Sequence, residues 1–277
     1  GPTGLFTVFE AGLLKLKCHL IDALPQAGGQ CSEIYPKKPI YDIPGFPEIL
    51  AGDLTTNLLE QCKQFEPGFT LGERAEKITK DDNGMFTVVT SKETAHQAPV
   101  IAIAGGLGSF EPRKPTLDNL SFYEGKGVEY IIKDPTIYKN KRIVIAGGGD
   151  SALGWSIYLA DIAKEVTLVH RRNEFRGALD SLEKARELKV NNKINIITPA
   201  EITQLSGAEK LESIVVTKDK VQTEIALDHF IPLFGLSPRL GPIGNWGLEI
   251  EKNAIKVDTF DYQTNIPGIF AIGDINT

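Results

Sequence analysis

Short apolar runs alternate along the chain with segments in which apolar residues recur at helical spacing. The runs predict strands, because continuous apolar stretches of this length are typical of strands buried in a sheet. They lie at Cys18–Ile21 and Val100–Ala104, and in "RIVIA" and "KINIIT". Further strands are predicted at Phe86–Thr90, Leu211–Thr217 and Val221–Ile225, the last two because they are rich in Ile, Val and Thr. Helices are predicted from about Leu5 to Leu14, from Asp53 to Gln64 with Asp53 as N-cap, and from about Ala178 to Leu188. The alternation of strands and helices predicts an α/β fold with parallel sheets and right-handed crossovers.

Composition narrows the class of protein. The 277 residues are enough for two domains, and no apolar run approaches the roughly 20 residues needed to cross a bilayer. The formal charge of −6 gives no electrostatic reason to expect nucleic acid. Cys18, Cys31 and Cys62 form no CxxC pair, so reduced thiols and a cytoplasmic location are expected. No cluster of His, Cys and carboxylates has metal-ligand spacing, and no metal is expected.

A glycine-rich turn in the middle of the chain has the pattern of a dinucleotide-binding turn. Gly147, Gly149 and Ala152 fit G-x-G-x-x-A between the run "RIVIA" and a following helix. The first Gly allows a tight turn, the second lets the backbone approach a pyrophosphate, and the small third residue lets helix and strand pack closely. The helix start also offers free N–H groups to the phosphates. The alternative is a glycine turn that binds nothing.

The end of the next strand distinguishes between nicotinamide nucleotides. His170 lies 18 positions (170 − 152) after Ala152 and is followed by Arg171 and Arg172, with Arg176 close behind. An acidic residue here would bind the ribose hydroxyls and repel a 2′-phosphate, whereas Arg binds that phosphate with a planar set of donors. The three arginines therefore predict NADP(H) rather than NAD(H). The alternative is a solvated basic loop.

The start of the chain fits the same pattern with a different ending. Gly1 and Gly4 match the second and third glycines of G-x-G-x-x-G, and Asp22 lies 18 positions (22 − 4) after Gly4 at a strand end. The strand that should precede this turn is missing, so the sequence looks truncated by one strand. An acid at this place suits a nucleotide with an unphosphorylated adenosine ribose, which is FAD or NAD. The alternative is a solvated carboxylate.

Three further segments favour FAD for this first unit. "TNIPGIFAIGD" is an apolar strand that ends at Asp274, where a carboxylate can bind the ribityl hydroxyls of a flavin. "VIAIAGG" resembles the strand and glycines that return from such a unit. "AGGQCSEIYP" places Gln30 and Tyr35 to line a flat ring system, and a phenol stacked on one flavin face leaves the other for nicotinamide. For Tyr35 the alternative is an ordinary packed loop tyrosine.

Together these motifs resemble the flavoproteins of the thioredoxin reductase-like group, and more narrowly its bacterial ferredoxin–NADP reductases. The matching stretches run from the first residue to the last: "GPTGLF", "LIDALPQAGGQ", "YPKKPIYDIPGFPEILAGDL", "IAGGGDSAL", "VTLVHRRNEFR", "GLSPRLGPIGNWGLEIEKNAI" and "TNIPGIFAIGDINT". The resemblance implies two Rossmann-like dinucleotide-binding domains. A discontinuous FAD domain would span about residues 1–112 and 236–277, and an NADP(H) domain about 113–235. Family members continue into a helix beside the flavin, so the chain looks truncated at both ends.

The resemblance also implies which residues hold each cofactor. The FAD positions match Gly1, Gly4, Asp22, Gln30, Tyr35, Ala75, Phe110 and Asp274, with Tyr35 stacked on the flavin. The NADP(H) positions match Gly147, Gly149, Ala152, Arg171, Arg172 and Arg176. No acid–base pair is expected among them, because the flavin carries the chemistry.

The implied activity is electron transfer between NADPH and ferredoxin through hydride transfer to flavin N5. Thioredoxin reductases carry a redox-active CxxC shortly before the second glycine turn, but the matching stretch "VEYIIKDPTIYKNK" has no cysteine, so disulfide exchange is not expected. Two alternatives remain: reduction of flavodoxin, a ferric chelate or a quinone, and a nucleotide sensor that binds FAD without turnover. Ferredoxin or a similar small redox protein is the expected partner, a homodimer is the expected assembly, and no nucleic-acid or membrane partner is expected.

Overall fold

The computed structural model describes residues 1–108, 111–237 and 239–277 of the chain. Its helices are Pro2–Leu13 (α1), Gln30–Glu33 (α2), Ala51–Lys63 (α3), Leu120–Tyr123 (α4), Asp150–Leu159 (α5) and Leu179–Val190 (α6), with 3₁₀ turns at Pro135–Tyr138, Gly241–Asn245 and Gly273–Ile275. Its strands are His19–Asp22 (β1), Pro39–Ile40 (β2), Ile49–Leu50 (β3), Gly68–Leu71 (β4), Ala75–Lys80 (β5), Phe86–Thr90 (β6), Ala95–Ala98 (β7), Ile101–Ile103 (β8), Glu111–Pro112 (β9), Arg142–Ala146 (β10), Glu165–Val169 (β11), Asn195–Ile197 (β12), Glu201–Ser206 (β13), Ser213–Lys218 (β14), Val221–Ala226 (β15), His229–Pro232 (β16), Leu236–Ser237 (β17), Ile250–Glu251 (β18), Ala254–Ile255 (β19) and Ile269–Ala271 (β20).

The chain folds into two compact units. Unit 1 contains Gly1–Glu111 and Ser237–Thr277, and unit 2 contains Pro112–Leu236. Both units combine helices with parallel strands, since β1 pairs with β4 and β8 with β20 in unit 1, and β10 with β11 in unit 2. The predicted α/β fold class is confirmed.

Unit 1 is organised around two parallel strand pairs. Strand β1 follows helix α1 and pairs with β4, so that Asp22 stands at the carboxyl end of the pair. Helix α1 packs on α3, where Leu5 is fully buried and its carbonyl accepts a hydrogen bond from the Cys62 thiol at 3.2 Å. The pair β8 and β20 lies in a core formed by Phe86, Ile103, Leu248, Ile255, Ile269, Ala271 and Ile275. The carboxyl end of β20 leads directly to Asp274.

Unit 2 is built on a four-stranded parallel sheet in the order β12–β11–β10–β16. Residues Ile143, Val144 and Ile145 of β10 are at most 1% exposed, as expected for a strand covered on both faces. Helix α5 connects β10 to β11, so the loops that follow these two strands emerge at the same sheet edge. In the antiparallel sheet of β13, β14 and β15, Leu205 of β13 and Ile214 and Val216 of β14 enter the core of this unit, and the partly buried Ile225 of β15 packs against it.

Two helix boundaries differ from those predicted. Helix α1 begins at Pro2 rather than near Leu5, because the fixed φ of proline suits the first helical turn. Helix α3 begins at Ala51, so Asp53 is not its N-cap; that place belongs to Leu50, and Asp53 lies in the first turn. The carboxylate of Asp53 still interacts favourably with the helix dipole there, which gives it a capping-like sequence signature.

An ion pair joins the amino ends of β10 and β16. The Asp228 carboxylate accepts hydrogen bonds from the Arg142 backbone N–H at 2.8 Å and from the Arg142 guanidinium at 3.2 and 3.3 Å. These contacts with Arg142 lower the pKa of Asp228 to about 2. The pair therefore stabilises the folded unit wherever the carboxylate is ionised.

We expect Asp228→Asn to destabilise unit 2 at pH 7 by about 1 kcal/mol, a figure reduced because the pair is partly exposed. The folded-state pKa lies below the ordinary value near 4, so the contribution is complete above about pH 5 and is lost as the pH falls toward 2. Urea unfolding followed by Trp155 fluorescence in a Trp246→Phe background reports unit 2 alone. A loss that stays equal at pH 7 and pH 3 would contradict the assignment.

Candidate nucleotide-binding sites

The glycine turn of unit 2, residues 147–152, connects the carboxyl end of β10 to helix α5. A Cβ on Gly147 would lie 2.5 Å from the Leu233 carbonyl oxygen and 2.8 Å from Ala152 Cβ. Gly149 is the N-cap of α5 and makes no side-chain cap, and a Cβ there would meet no atom within 4 Å. Packing inside the unit therefore requires the first glycine. The second opens onto free space at a helix N-terminus, where a pyrophosphate can approach.

The loop that follows β11 folds over this turn. The backbone N–H of Arg176 donates to the Gly148 carbonyl at 2.7 Å. Two residues further on, the backbone N–H of Ala178 donates to the Asp150 carboxylate, also at 2.7 Å. We call residues 170–178 the arginine loop. Its backbone is held against the glycine turn by these two hydrogen bonds.

The three predicted arginines share one edge of unit 2. The side chains of Arg171, Arg172 and Arg176 are exposed, and the Arg172 carbonyl accepts a hydrogen bond from the Thr198 hydroxyl at 2.5 Å. Burial lowers the pKa of neighbouring His170, the hydrogen bond to the Glu174 carbonyl opposes this shift, and the positive charges of Arg176, Arg171 and Arg172 lower the pKa further. The charges of all three guanidinium groups therefore act on the same imidazole. They form one basic surface beside the glycine turn.

In unit 1 the N-terminus of α1 takes the corresponding place. Gly1 is the N-cap and makes no side-chain cap. The backbone of Gly1 contacts Gly29 so closely that a Cβ on Gly29 would lie 2.9 Å from Gly1 Cα. A Cβ on Gly4 would lie 3.4 Å from Ala104 Cβ, which is an ordinary contact distance. The close approach that excludes a side chain is therefore at Gly29 rather than at Gly4.

Asp22 lies at the end of β1, as the sequence predicts. Its Oδ1 accepts a hydrogen bond from the Leu24 backbone N–H at 3.0 Å. Its carbonyl accepts the backbone N–H of Glu73 at 3.1 Å, and the Glu73 carboxylate accepts the Thr90 hydroxyl at 2.6 Å. Ala75 begins β5 two residues later and pairs with Thr90. The structure therefore brings Ala75 and Asp22 to the same end of β1.

Tyr35 lies in a partly buried cluster of polar groups. Its hydroxyl lies near the Cys31 thiol, and the Lys38 ammonium lies 5.6 Å from the centre of its ring. Burial, then Cys31, then the carboxylates of Asp274 and Asp42 raise the pKa of Tyr35 to about 12. The phenol is therefore neutral at physiological pH, and the turn that carries Asp274 lies near it.

The same turn contacts the start of α1. A Cβ on Gly273 would lie 3.0 Å from the Thr3 Oγ1 atom. Gln30 begins helix α2 directly after Gly29, the residue that packs on Gly1. The N-terminus of α1, the Gln30 turn and the end of β20 therefore converge in unit 1. The predicted Phe110 lies outside the described residues.

Three residues of these sites were missed by sequence reasoning. Gly29 and Cys31 stand inside the quoted stretch "AGGQCSEIYP", where two consecutive glycines were a usable signal of close backbone approach. In the sequence, His170 serves only to mark the spacing from Ala152 to the end of the strand. The contact between His170 and Gly148 joins segments that are distant in sequence, and no local sequence pattern predicts such a contact.

Residues 1–108, 111–237 and 239–277 contain neither a membrane-spanning helix nor a metal site. No helix in these ranges is long and apolar enough to cross a membrane. No group of three or more His, Cys, Asp or Glu side chains there is placed to hold a metal ion. The three cysteines are free thiols.

Residues 1–277 match the model of the pyridine nucleotide-disulphide oxidoreductase family. The chain belongs to this family. A ferredoxin–NADP reductase of Flavobacterium johnsoniae is 69% identical over 278 residues, which are all of this chain and 79% of that protein. Ferredoxin–NADP reductase 1 of Christiangramia forsetii is 70% identical over 281 residues, covering 100% of this chain and 80% of the relative. The resemblance drawn from the motifs is confirmed.

Solved structures of two other proteins have the same fold. Thioredoxin reductase of Lactococcus lactis is 26% identical and matches with a TM-score of 0.84, over 100% of this chain and 88% of that one. The thioredoxin reductase of T. acidophilum, at 22% identity, matches with a TM-score of 0.87 over the same shares. The thioredoxin reductase-like fold is confirmed.

The two glycines of the unit 2 turn should respond differently to the same substitution. Gly147→Ala should destabilise unit 2 by about 1–3 kcal/mol, because the added methyl group overlaps Leu233 and Ala152. Gly149→Ala should cost less than about 1 kcal/mol, since its methyl group meets no atom and only the cap preference changes. Urea unfolding of the nucleotide-free variants measures both. Equal losses would show that the turn is not packed as described.

Proposed function

We propose that this protein is an FAD-dependent oxidoreductase that transfers electrons between NADPH and ferredoxin. One observation carries the proposal: two glycine-led helix starts stand beside strand ends of opposite charge. Strand β1 ends at a carboxylate, Asp22, and β11 is followed by the arginine loop. The family name specifies a pyridine nucleotide, and both curated relatives carry the name of this activity.

The residues of unit 1 fit an FAD molecule. The uncapped N-terminus of α1 offers free backbone N–H groups to a pyrophosphate, and Gly29 keeps the approach clear of side chains. Asp22 would bind the adenosine ribose hydroxyls and Asp274 the ribityl hydroxyls. Tyr35 supplies a neutral flat ring for the flavin. Gln30 and Ala75 complete the set proposed from the family pattern, with Phe110.

The residues of unit 2 fit NADP(H). The space in front of Gly149 suits the pyrophosphate, and fully buried Ala152 lets α5 pack closely on the sheet. Exposed Arg171, Arg172 and Arg176 present guanidinium groups suited to a 2′-phosphate. An acidic residue in their place would repel that group.

The proposed chemistry divides between cofactor and chain. When bound, a flavin supplies the ability to take up an electron pair as hydride and to release electrons singly. The side chains bind and orient the two nucleotides. Tyr35, with a pKa of about 12, keeps its proton and transfers none. No cysteine pair with CxxC spacing is present to relay electrons as thiols.

The partner is a small acidic redox protein such as ferredoxin, which must dock on a local basic surface because this chain has a net charge of −6. Free thiols are typical of a reducing compartment, which supports a cytoplasmic location. The homodimeric assembly follows from the family resemblance, and sedimentation of the full-length protein tests it.

An anaerobic titration of the full-length protein tests the activity directly. NADPH should bleach the flavin absorption band, and ferredoxin added afterwards should restore it as it becomes reduced. Restoration by flavodoxin, a ferric chelate or a quinone but not by ferredoxin would change the acceptor. A flavin absorption band that NADPH does not bleach would contradict the proposed enzyme activity and favour a nucleotide sensor that binds FAD without turnover.

Removing a charged side chain from one site should weaken the binding of that site's nucleotide and leave the other nucleotide unaffected. Arg171→Ala should raise the KM for NADPH roughly tenfold to a hundredfold, since a hydrogen bond between charged groups contributes about 1.5–3 kcal/mol, and leave the KM for NADH nearly unchanged. Asp22→Ala should instead lower the flavin retained after desalting without altering the preference for NADPH. Steady-state kinetics and flavin absorbance measure these effects. If Arg171→Ala weakened both nicotinamide nucleotides equally, the 2′-phosphate assignment would be lost.

A further inference from the structure

We propose that His170 is a positioning residue for nucleotide selection: its imidazole joins the glycine turn to the arginine loop and so fixes the guanidinium groups for a 2′-phosphate. The inference rests on the proposed binding of NADP(H). It deepens that function by assigning selectivity to a residue that does not itself contact the phosphate.

The backbone of His170 is fixed to the neighbouring strand. Its N–H donates to the Ile197 carbonyl at 3.1 Å, and its carbonyl accepts the N–H of Ala200 at 2.9 Å. The residue is 8% exposed. It therefore provides a rigid point at the base of the otherwise exposed arginine loop.

The imidazole ring packs directly against the glycine turn. A Cβ built on Gly148 would overlap this ring, and the glycine pattern leaves that middle position free to vary. The Gly148 carbonyl also accepts the Arg176 backbone N–H at 2.7 Å. Gly148 thus contacts His170, at the start of the arginine loop, through the imidazole ring. It contacts Arg176, near the end of the loop, through the backbone hydrogen bond.

The same ring holds the middle of the loop. The Nε2 atom of His170 lies 3.0 Å from the Glu174 carbonyl oxygen, which can only accept, so Nε2 carries the proton. The ring also packs on Phe175, with ring centres 4.9 Å apart and planes inclined at 35°. Glu174 and Phe175 lie between Arg172 and Arg176. The neutral imidazole of His170 therefore holds the loop backbone in place between Arg172 and Arg176.

A purely structural role makes a different prediction. General loosening of unit 2 would weaken NADPH and NADH together, because both nucleotides use the glycine turn. Misplacement of the guanidinium groups would weaken only ligands that carry the 2′-phosphate. The ratio of the two effects separates these explanations.

A matched pair of variants tests the hydrogen bond to Glu174. In His170→Gln the amide nitrogen can take the place of Nε2, whereas in the shorter His170→Asn it corresponds to Nδ1 and does not reach the Glu174 carbonyl. In the full-length, flavin-loaded protein, we expect His170→Asn to raise the KM for NADPH and the Kd for 2′,5′-ADP by about tenfold, the equivalent of one hydrogen bond. The KM for NADH should change by less than about twofold, and His170→Gln should recover most of the loss.

A double-mutant cycle tests the packing on Gly148 independently of the hydrogen bond to Glu174. Gly148→Ala should weaken 2′,5′-ADP strongly in the parent protein, but add little in a His170→Ala background, where the added methyl group has room. His229→Gln is the control, because His229 lies in the same unit at the amino end of β16 and pairs with Glu129. It should leave the NADPH to NADH ratio unchanged.

The outcomes separate this inference from the proposed function. A parent protein that does not distinguish NADPH from NADH would overturn both. A parent that prefers NADPH, with equal losses for both nucleotides in His170→Asn, would overturn the positioning role alone. Additive effects of Gly148→Ala and His170→Ala would also overturn it.

Discussion

The geometry of parallel strands joined by a helix is the constraint on which both candidate sites depend. In such a unit the start of the helix and the end of the second strand must lie at the same sheet edge. Unit 2 shows this directly: Ala146 pairs with Val169, and the N–H of Gly147 donates to the Val169 carbonyl at 3.0 Å. Residues more than twenty positions apart in sequence are thereby neighbours. The spacing between the glycine turn and the end of the next strand therefore predicts which residues lie close together in the fold.

This constraint leaves specificity to very few side chains. The glycines and free helix N–H groups suit the pyrophosphate of either nucleotide, so they cannot distinguish FAD from NADP(H). What differs is the strand end, where unit 1 has the carboxylate of Asp22 and unit 2 has the arginine loop. The physical distinction is one of charge, because a carboxylate attracts ribose hydroxyls and repels a 2′-phosphate, while guanidinium groups bind it.

The sequence predicted those parts of the fold that a local pattern specifies. Strand β6 has the predicted bounds because its aromatic and β-branched residues favour a strand. Strands β10 and β11 flank the predicted turn because buried strands read as nearly continuous apolar runs. Strands β5, β7 and β13 were not predicted, since "AEKITK", "AHQA" and "EITQLS" are polar and largely exposed. The contacts of Gly29 and His170 join distant segments: two consecutive glycines indicate a close backbone approach at Gly29, whereas only the folded chain reveals the role of His170.

The central claim is that charge at two strand ends sorts two nucleotides. A crystal structure of the full-length protein with FAD and NADP⁺ bound measures this most directly. The account predicts the FAD adenosine ribose on the Asp22 carboxylate and the 2′-phosphate of NADP⁺ within hydrogen-bonding distance of Arg171 or Arg172. A 2′-phosphate that points into solvent away from both guanidinium groups would contradict it.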